Sequence, residues 1–437
     1  MESSSNSGLP KPGWKAKLAG NPLAQVFSIR DFRLLWIGAF FSFTGSWVQN
    51  VCQGYLIYEM TKDESKLAYV SAANSIPFFL FGLAAGSLVD TRDKRHILIG
   101  AQILFACASL YMAAATHFRF VSYEQVILVS FMLGTIACVE APTRQSVVSR
   151  VVPVEFLSAA IPIQAMTFNT ARIIGPAIGG VLLANVGVPV GYLVNALTFM
   201  ALIGCVAAMR ADLSPATTER VPFLTLIKEG IKYTWNERRL RTLLIMESVT
   251  ALFGIFYIPM MPAYIDQVLK IPHETPAGKL AIGNAYTAIG VGALCTLLLM
   301  TQITDAKRKG RFITIGMAVS GLVLWVLANA QNPWLAFPLM SVIGACTVLQ
   351  FNTTNALFQT IAPEHLRGRA LSAHIWALNG LSPFGVAILG TVARQSRDSS
   401  FGVFGSGIPL AMHIGACLMI CGALFGFANR GVLRDLT

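Results

Sequence analysis

Leu67–Val89 (LAYVSAANSIPFFLFGLAAGSLV) runs for 23 residues without a charged side chain. About 20 apolar residues in a helix cross the roughly 30 Å of bilayer hydrocarbon, so this stretch can span a membrane with some tilt. Similar runs recur along the whole chain. In lipid a backbone must satisfy its own hydrogen bonds, so such runs fold as helices. Composition agrees: 54% of the 437 residues are hydrophobic and 12% are charged, against about 25% charged in soluble domains. That deficit excludes an ordinary globular enzyme.

Hydropathy places twelve spans. Six lie in the first half, near Leu34–Tyr58, Leu67–Val89, Ile97–Thr116, Gln125–Val148, Leu157–Ala184 and Gly187–Met209. Six more lie near Thr242–Tyr264, Ala281–Ile303, Phe312–Ala330, Leu335–Gln359, Ala370–Ala393 and Gly407–Phe427. With the N-terminus inside, 25 of the 33 Lys and Arg residues fall on the inner side and 7 on the outer, and Arg172 lies within a span. Basic residues collect on cytoplasmic loops, so both termini are expected in the cytoplasm and the chain in the inner cell membrane. The net charge of +12 follows from that topology. No basic block is interleaved with aromatics, and no nucleic-acid partner is expected. The eight cysteines, Cys52, Cys107, Cys138, Cys205, Cys295, Cys346, Cys417 and Cys421, all lie in apolar runs without a CxxC pair and read as small buried hydrophobes.

The expected organisation is a cytoplasmic tail and juxtamembrane segment over 1–33, a six-helix bundle over 34–209, a linker over 210–241, a second bundle over 242–427 and a tail over 428–437. The tail has no hydrophobic signal region. Phe223, Ile227 and Ile231 recur at helical spacing in the linker, as in a short helix lying on the inner membrane surface. An offset of 210 residues superposes the halves: Gly175 falls on Gly385, Gly180 on Gly390, and Pro153–Leu157 on Pro363–Arg367. Two parallel repeats place a cavity between them near the membrane midplane, open to alternate sides as one half rocks.

Gly86-Ser87-Leu88-Val89-Asp90-Thr91-Arg92-Asp93-Lys94-Arg95 resembles the loop signature G-x-x-x-D-[RK]-x-G-[RK]-[RK] of the major facilitator superfamily. Thr91 and Asp93 depart from it. The acidic residue at the glycine position is similar to the branch of enterobactin-type exporters and macrolide efflux proteins. Ala171-Arg172-Ile173-Ile174-Gly175-Pro176-Ala177-Ile178-Gly179-Gly180 resembles the fifth-helix signature of antiporters in that superfamily, and Pro363-Glu364-His365-Leu366-Arg367-Gly368-Arg369 is similar to a P-x-x-x-R-G-R segment of the same branch. The resemblance implies an all-α membrane protein of twelve helices in two pseudo-symmetric six-helix bundles, the major facilitator fold. It further implies a monomer that exports an amphipathic or anionic small molecule, such as a siderophore-like metabolite or a drug, with protons as the coupled ion. A lipid or lysophospholipid flippase, or an importer, would use the same scaffold. No G-x-x-x-x-G-K-[ST] or HExxH occurs; neither ATP drive, a cofactor, a metal nor an enzymatic activity is expected.

Physical reading supplies the candidate residues. Asp90, followed by Arg92, Lys94 and Arg95, can form a charged latch at the cytoplasmic gate, with Gly86 allowing close packing and Arg144 nearby. Gly175-Pro176 with Gly179-Gly180 bends a helix and permits tight contact, so a hinge is expected there. Arg172 is costly at such depth and stays only if paired or facing water, as an anionic cargo group would allow. Ser42, Ser46, Gln49 and Gln53 form one polar stripe on the first span, with Asn50 beside it, and Thr347, Gln350 and Thr354 form another on the tenth. Ser46, Gln49, Asn50, Gln53, Arg172, Gln350 and Thr354 are the expected substrate cavity. Groups able to exchange protons are sparse, with Glu247 first, then Glu140, which Arg144 one turn away can neutralise, and His374.

Overall fold

The structure, a computed structural model, describes residues 22–215, 223–300, 309–399 and 401–434. The first set of crossings is α1 (Arg30–Thr61), α2 (Glu64–Asp90), α3 (Lys94–His117), α4 (Tyr123–Val151), α5 (Leu157–Asn185) and α6 (Val188–Ala207). After the linker helix Phe223–Asn236 come α7a (Arg238–Val249) and α7b (Met261–Gln267), α8 (Pro276–Met300), α9 (Lys309–Leu327), α10 (Pro333–Ile361), α11 (Glu364–Gln395) and α12 (Ile408–Ala428). Eight of the described helices are both long and apolar enough to cross a bilayer. Three more, α1, α2 and α5, have the length, at 32, 27 and 29 residues. Side-chain caps set several starts. Asp63 accepts from the backbone of Ser65 and Lys66 before α2, and Ser122 forms a capping box with Gln125 before α4.

The seventh crossing departs from expectation. The apolar run Thr242–Tyr264 is not one helix: a π-helical turn at Thr250–Gly254 leads into irregular backbone over 255–260 before α7b starts. Pro259 and Pro262 supply no backbone donors, and Pro262 is suited to the first turn of a new helix. Irregular backbone at membrane depth persists where protein buries it or it lines a water-filled cavity. Here Phe256, Tyr257 and Met260 are buried.

Two helix pairs carry most of the contact between the bundles, α2 on α11 and α5 on α8. The glycines matched by the 210-residue offset occupy equivalent places. A Cβ on Gly175 would meet the Thr44 carbonyl of α1 at 2.7 Å, and one on Gly385 would strike the carbonyl of Leu252, the corresponding stretch of the second bundle. Gly180 abuts Gly283 of α8, and Gly390 abuts Ala68 of α2. The repeat read in the sequence is therefore a repeat of helix contacts.

Three apolar cores form among the described residues. One lies toward the face bearing the α1–α2 turn and residues 268–275, the distal face, and it joins both bundles: Tyr55, Ile57 and Tyr58 share it with Met261, Tyr264 and Ile282. Toward the opposite face, where the described chain begins and ends, each bundle keeps its own core, one built on Phe32, Leu35 and Val206 and the other on Leu243, Met246 and Phe358. Among the described residues the apolar core is shared across the distal half and separate in each bundle across the terminal half.

Candidate functional site

A cavity of about 230 Å³ lies at the bundle interface, one to two turns below the distal seal. Gln49, Asn50 and Gln53 of α1 line one side with Asn74 of α2, while Ile258 and Pro259 from the break in the seventh crossing and Tyr286 of α8 line the other. The broken crossing is thus a wall of the cavity.

The polar stripe of α1 divides its work. Asn50 is exposed to the space between the bundles. Gln49 is buried and accepts from Ser109 Oγ of α3 at 2.8 Å and Asn195 Nδ2 of α6 at 2.7 Å, so it also ties three helices together. Gln53 Nε2 donates to Ser130 Oγ of α4 at 3.1 Å. Ser46 Oγ donates to the Ser42 carbonyl of its own helix. On α10, Gln350 Nε2 donates to Thr250 Oγ1 of the π turn at 2.7 Å, and Thr354 is buried without an aligned hydrogen-bond partner among the described residues.

Arg172 is half-buried, its guanidinium 5.5 Å from the ring centroid of Trp47, itself a cavity-lining residue. A cation over an aromatic face is partly compensated for its lost hydration. No carboxylate among the described residues pairs with it, which leaves charge for an anionic group.

Glu247 and His374, far apart in sequence, meet in the second bundle. Glu247 Oε2 lies 2.6 Å from His374 Nδ1, and the two side chains are 0% and 3% exposed. The two groups are in close contact without the alignment of a hydrogen bond, for neither carboxylate oxygen nor Nδ1 has an aligned partner among the described residues. Phe358 covers the imidazole at 5.1 Å between centroids. Glu140 is held differently: Arg144 Nη1 lies 3.1 Å away, Gln102 Nε2 donates at 3.2 Å, and Arg144 packs over Phe43.

Of the expected cytoplasmic-gate residues, the side chains of Gly86 and Asp90 lie outside those described. Arg92 is exposed. Lys94 is fully buried, and its ammonium has no hydrogen-bond partner among the described residues. Arg95 Nη2 donates to the Ala211 carbonyl at 3.0 Å, and the Lys94 N–H donates to the Leu213 carbonyl, so both hold the chain leaving α6. Asp93 caps α3, accepting from Arg95 and His96 backbone N–H groups at 2.8 and 3.2 Å. In the expected hinge, Gly175 and Gly179 pack on α1, while Pro176 and Gly180 press against Gly283 of α8.

The distal seal is a polar latch that the sequence reading missed. Arg397 after α11 donates to buried Glu64 of α2, with Nη2 at 2.5 Å. Arg394 pairs with Asp63 at 3.3 Å. Tyr58 OH donates to Asp266 Oδ2 at 3.0 Å, and Gln267 Nε2 bonds both Tyr58 and Glu64. Lys62 Nζ donates to Glu274 at 2.8 Å. The signal in the sequence is only charged residues at span ends, and their partners become visible once the bundles are joined.

The family described as transmembrane secretion effector matches residues 21–431. The staphyloferrin A transporter of Staphylococcus aureus is 23% identical over 81% of this chain and 87% of its own length. The multidrug efflux pump Tap of Mycobacterium tuberculosis is 27% identical over 79% of this chain and 83% of its own. Macrolide efflux protein A of Streptococcus pyogenes is 22% identical over 78% and 84%. Among solved structures, a POT family transporter in complex with 5-aminolevulinic acid has a TM-score of 0.74 at 11% identity, covering 92% of this chain and 96% of that one. The nucleoside transporter NupG has a TM-score of 0.68 at 12% identity, covering 92% and 99%. These structures share the fold. With a family match over nearly its whole length, the chain belongs to the transmembrane secretion effector family of major facilitator transporters: a multi-pass membrane transporter, not an enzyme.

Proposed function

We propose that the protein is a proton-coupled exporter of an amphipathic or anionic small molecule that works by alternating access, as a monomer in the inner cell membrane with both termini in the cytoplasm. The observation that carries this reading is the asymmetry of the interface: one shared core and a polar latch distally, two separate cores terminally. With the termini inside, that is a state closed outward and divided inward, with the polar cavity under the closed gate. Cargo enters between the bundles, meets Asn50 and the Arg172–Trp47 surface, and leaves when the distal latch parts.

The proton is assigned to the Glu247–His374 pair. The pair is sealed from solvent, so it gains or loses a proton only when helix movement exposes it, which is the requirement for coupling. Glu140, the other expected acidic group, is already paired with Arg144 in this state. The named relatives transport staphyloferrin A, drugs and macrolides, which supports an amphipathic or anionic cargo. Uptake into inverted membrane vesicles tests the reading, using a panel of siderophore-type chelators, macrolides and lysophospholipids with and without a pH gradient. Accumulation of a soluble compound that requires the gradient is expected. Movement of lysophospholipid alone would refute export of soluble cargo.

A further inference from the structure

We propose that Glu247 Oε1, Gln350 Oε1 and Thr354 Oγ1 form a site for one dehydrated sodium ion beside the break in the seventh crossing.

Buried polar groups in proteins nearly always find hydrogen-bond partners, and four oxygens here do not. Glu247, Gln350 and Thr354 are at most 1% exposed, and Glu247 Oε1 and Oε2, Gln350 Oε1 and Thr354 Oγ1 have no hydrogen-bond partner among the described residues. Neighbouring bonds fix how they point. Thr250 Oγ1 donates to the Met246 carbonyl at 3.3 Å, so it accepts from Gln350 Nε2 at 2.7 Å, which turns the Gln350 amide oxygen away from Thr250. Helical threonines commonly donate to the carbonyl four residues back, as Thr347 does to Ile343 and Thr360 to Ala356. Thr354 does not, and its hydroxyl is left for another group. The His374 imidazole touches Glu247 Oε2 at 2.6 Å without an aligned hydrogen bond, so nothing among the described residues donates to this carboxylate.

Helix packing brings these oxygens to one level. α7a runs from the terminal face toward the distal face and α10 runs back, and the Gln350–Thr250 bond sets their register. Glu247 lies about one turn before Thr250 and Thr354 about one turn beyond Gln350, so antiparallel packing puts Glu247 level with Thr354. Phe358, one turn further along α10, covers the His374 ring at 5.1 Å between centroids, which agrees with that register. The apolar core of Leu243, Met246 and Phe358 closes the pocket toward the terminal face.

A carboxylate, an amide carbonyl and a hydroxyl are hard oxygen donors, suited to a hard cation and unsuited to a soft metal. The pocket holds one carboxylate, so a monovalent ion balances it, whereas a divalent ion would leave a positive charge buried. Glu247 also sits in the last turn of α7a before the π turn, toward the negative end of a half-helix, where the dipole disfavours an anion and favours a cation. Broken membrane helices coordinate sodium at such ends. Bound sodium ties α7a to α10 and fixes the start of the break, whose far end, Ile258 and Pro259, walls the cavity.

This goes beyond proton coupling, giving Glu247 a second cation through Oε1 while Oε2 meets His374. The test is equilibrium binding of sodium-22 to the full chain in nanodiscs of uncharged lipid, at one pH, with choline chloride holding the ionic strength constant. Wild type should bind saturably, and unlabelled sodium should displace the label where potassium and choline do not. Thr354→Val keeps the shape and the charge of the pocket and should weaken binding about tenfold, the loss of one modest polar contact. Glu247→Gln should abolish binding. Thr347→Val removes a hydroxyl that its own helix already engages and should change nothing. Absence of saturable binding would show that water satisfies these oxygens and would overturn the proposal. Equal displacement by potassium overturns it as well, and so does unchanged binding in Thr354→Val, which decides the matter even if Glu247→Gln does not fold. Discharge of a pH gradient by cargo reads the proton assignment separately, so either inference can fail while the other stands.

Discussion

Arg397 of the second bundle sets Nη2 2.5 Å and Nε 3.1 Å from one carboxylate oxygen of Glu64 in the first, and Glu64 is fully buried. A buried carboxylate that loses its cation costs about 3–5 kcal/mol. Arg397 is about one-third exposed, and solvent screening brings the expected loss to about 2–3 kcal/mol. Arg397→Ala should therefore weaken the distal-closed state and lower the thermal midpoint of the purified protein. Glu64→Gln, which removes the charge with its partner still present, should cost less. Equal midpoints for wild type and Arg397→Ala would show that the latch carries no closure energy.

The crossing of α5 and α8 should tolerate no added atoms. A Cβ on Gly283 would lie 2.6 Å from the Pro176 carbonyl oxygen and 2.8 Å from Gly180 Cα. Both are backbone atoms, which cannot swing aside. Gly283→Ala should cost about 1–3 kcal/mol, the usual price of overpacking, and Gly283→Leu more. Gly204→Ala is the control, because its Cβ would meet nothing within 4 Å; it should be neutral or stabilise by up to about 1 kcal/mol. Thermal melts of the three variants check the order.

Arg172 should discriminate cargo by charge. Replacing it with alanine removes the guanidinium over Trp47 and should raise the KM for an anionic compound about tenfold, roughly the 1.4 kcal/mol of one modest charge contact. The KM for a neutral compound should change little. Equal effects on both would make Arg172 a packing residue.

The Lys62–Glu274 contact gives a pH window of known sign. Glu274 is held below its ordinary value of about 4.3, so its contribution is complete above that pH and fades as pH falls through the lowered value. Lys62 is held above about 10.4, so its contribution is complete below that pH and fades as pH rises through the raised value. The melting difference between wild type and Glu274→Gln should thus stay flat from about pH 5 to about pH 10 and shrink outside that window. A difference that varies steeply near pH 7 would mean that another group governs the contact.

What the sequence disclosed was local. Uncharged runs located the crossings, because lipid demands them: Leu157–Ala184 was expected, and the helix is Leu157–Asn185. The offset that paired Gly175 with Gly385 also foretold equivalent packing, since small residues mark where backbones touch. Interruption of the seventh crossing escaped, because hydropathy averages over Gly254, Pro259 and Pro262 and registers no break. Glu247 and His374 were each suspect as buried titratable groups, but the distance between them is set by how α7a and α11 pack. The latch of Glu64, Arg397, Tyr58 and Asp266 joins residues up to 333 positions apart, and no periodicity announces such pairs.

The most direct test of export driven by protons is proton release coupled to cargo in inverted vesicles. A pH gradient is established, each compound of the panel is added, and collapse of the gradient is followed for wild type and Glu247→Gln. At least one compound should discharge the gradient in wild type, and Glu247→Gln should bind it while abolishing that discharge. Undiminished, gradient-dependent transport by Glu247→Gln, or transport by wild type indifferent to the gradient, would contradict the account.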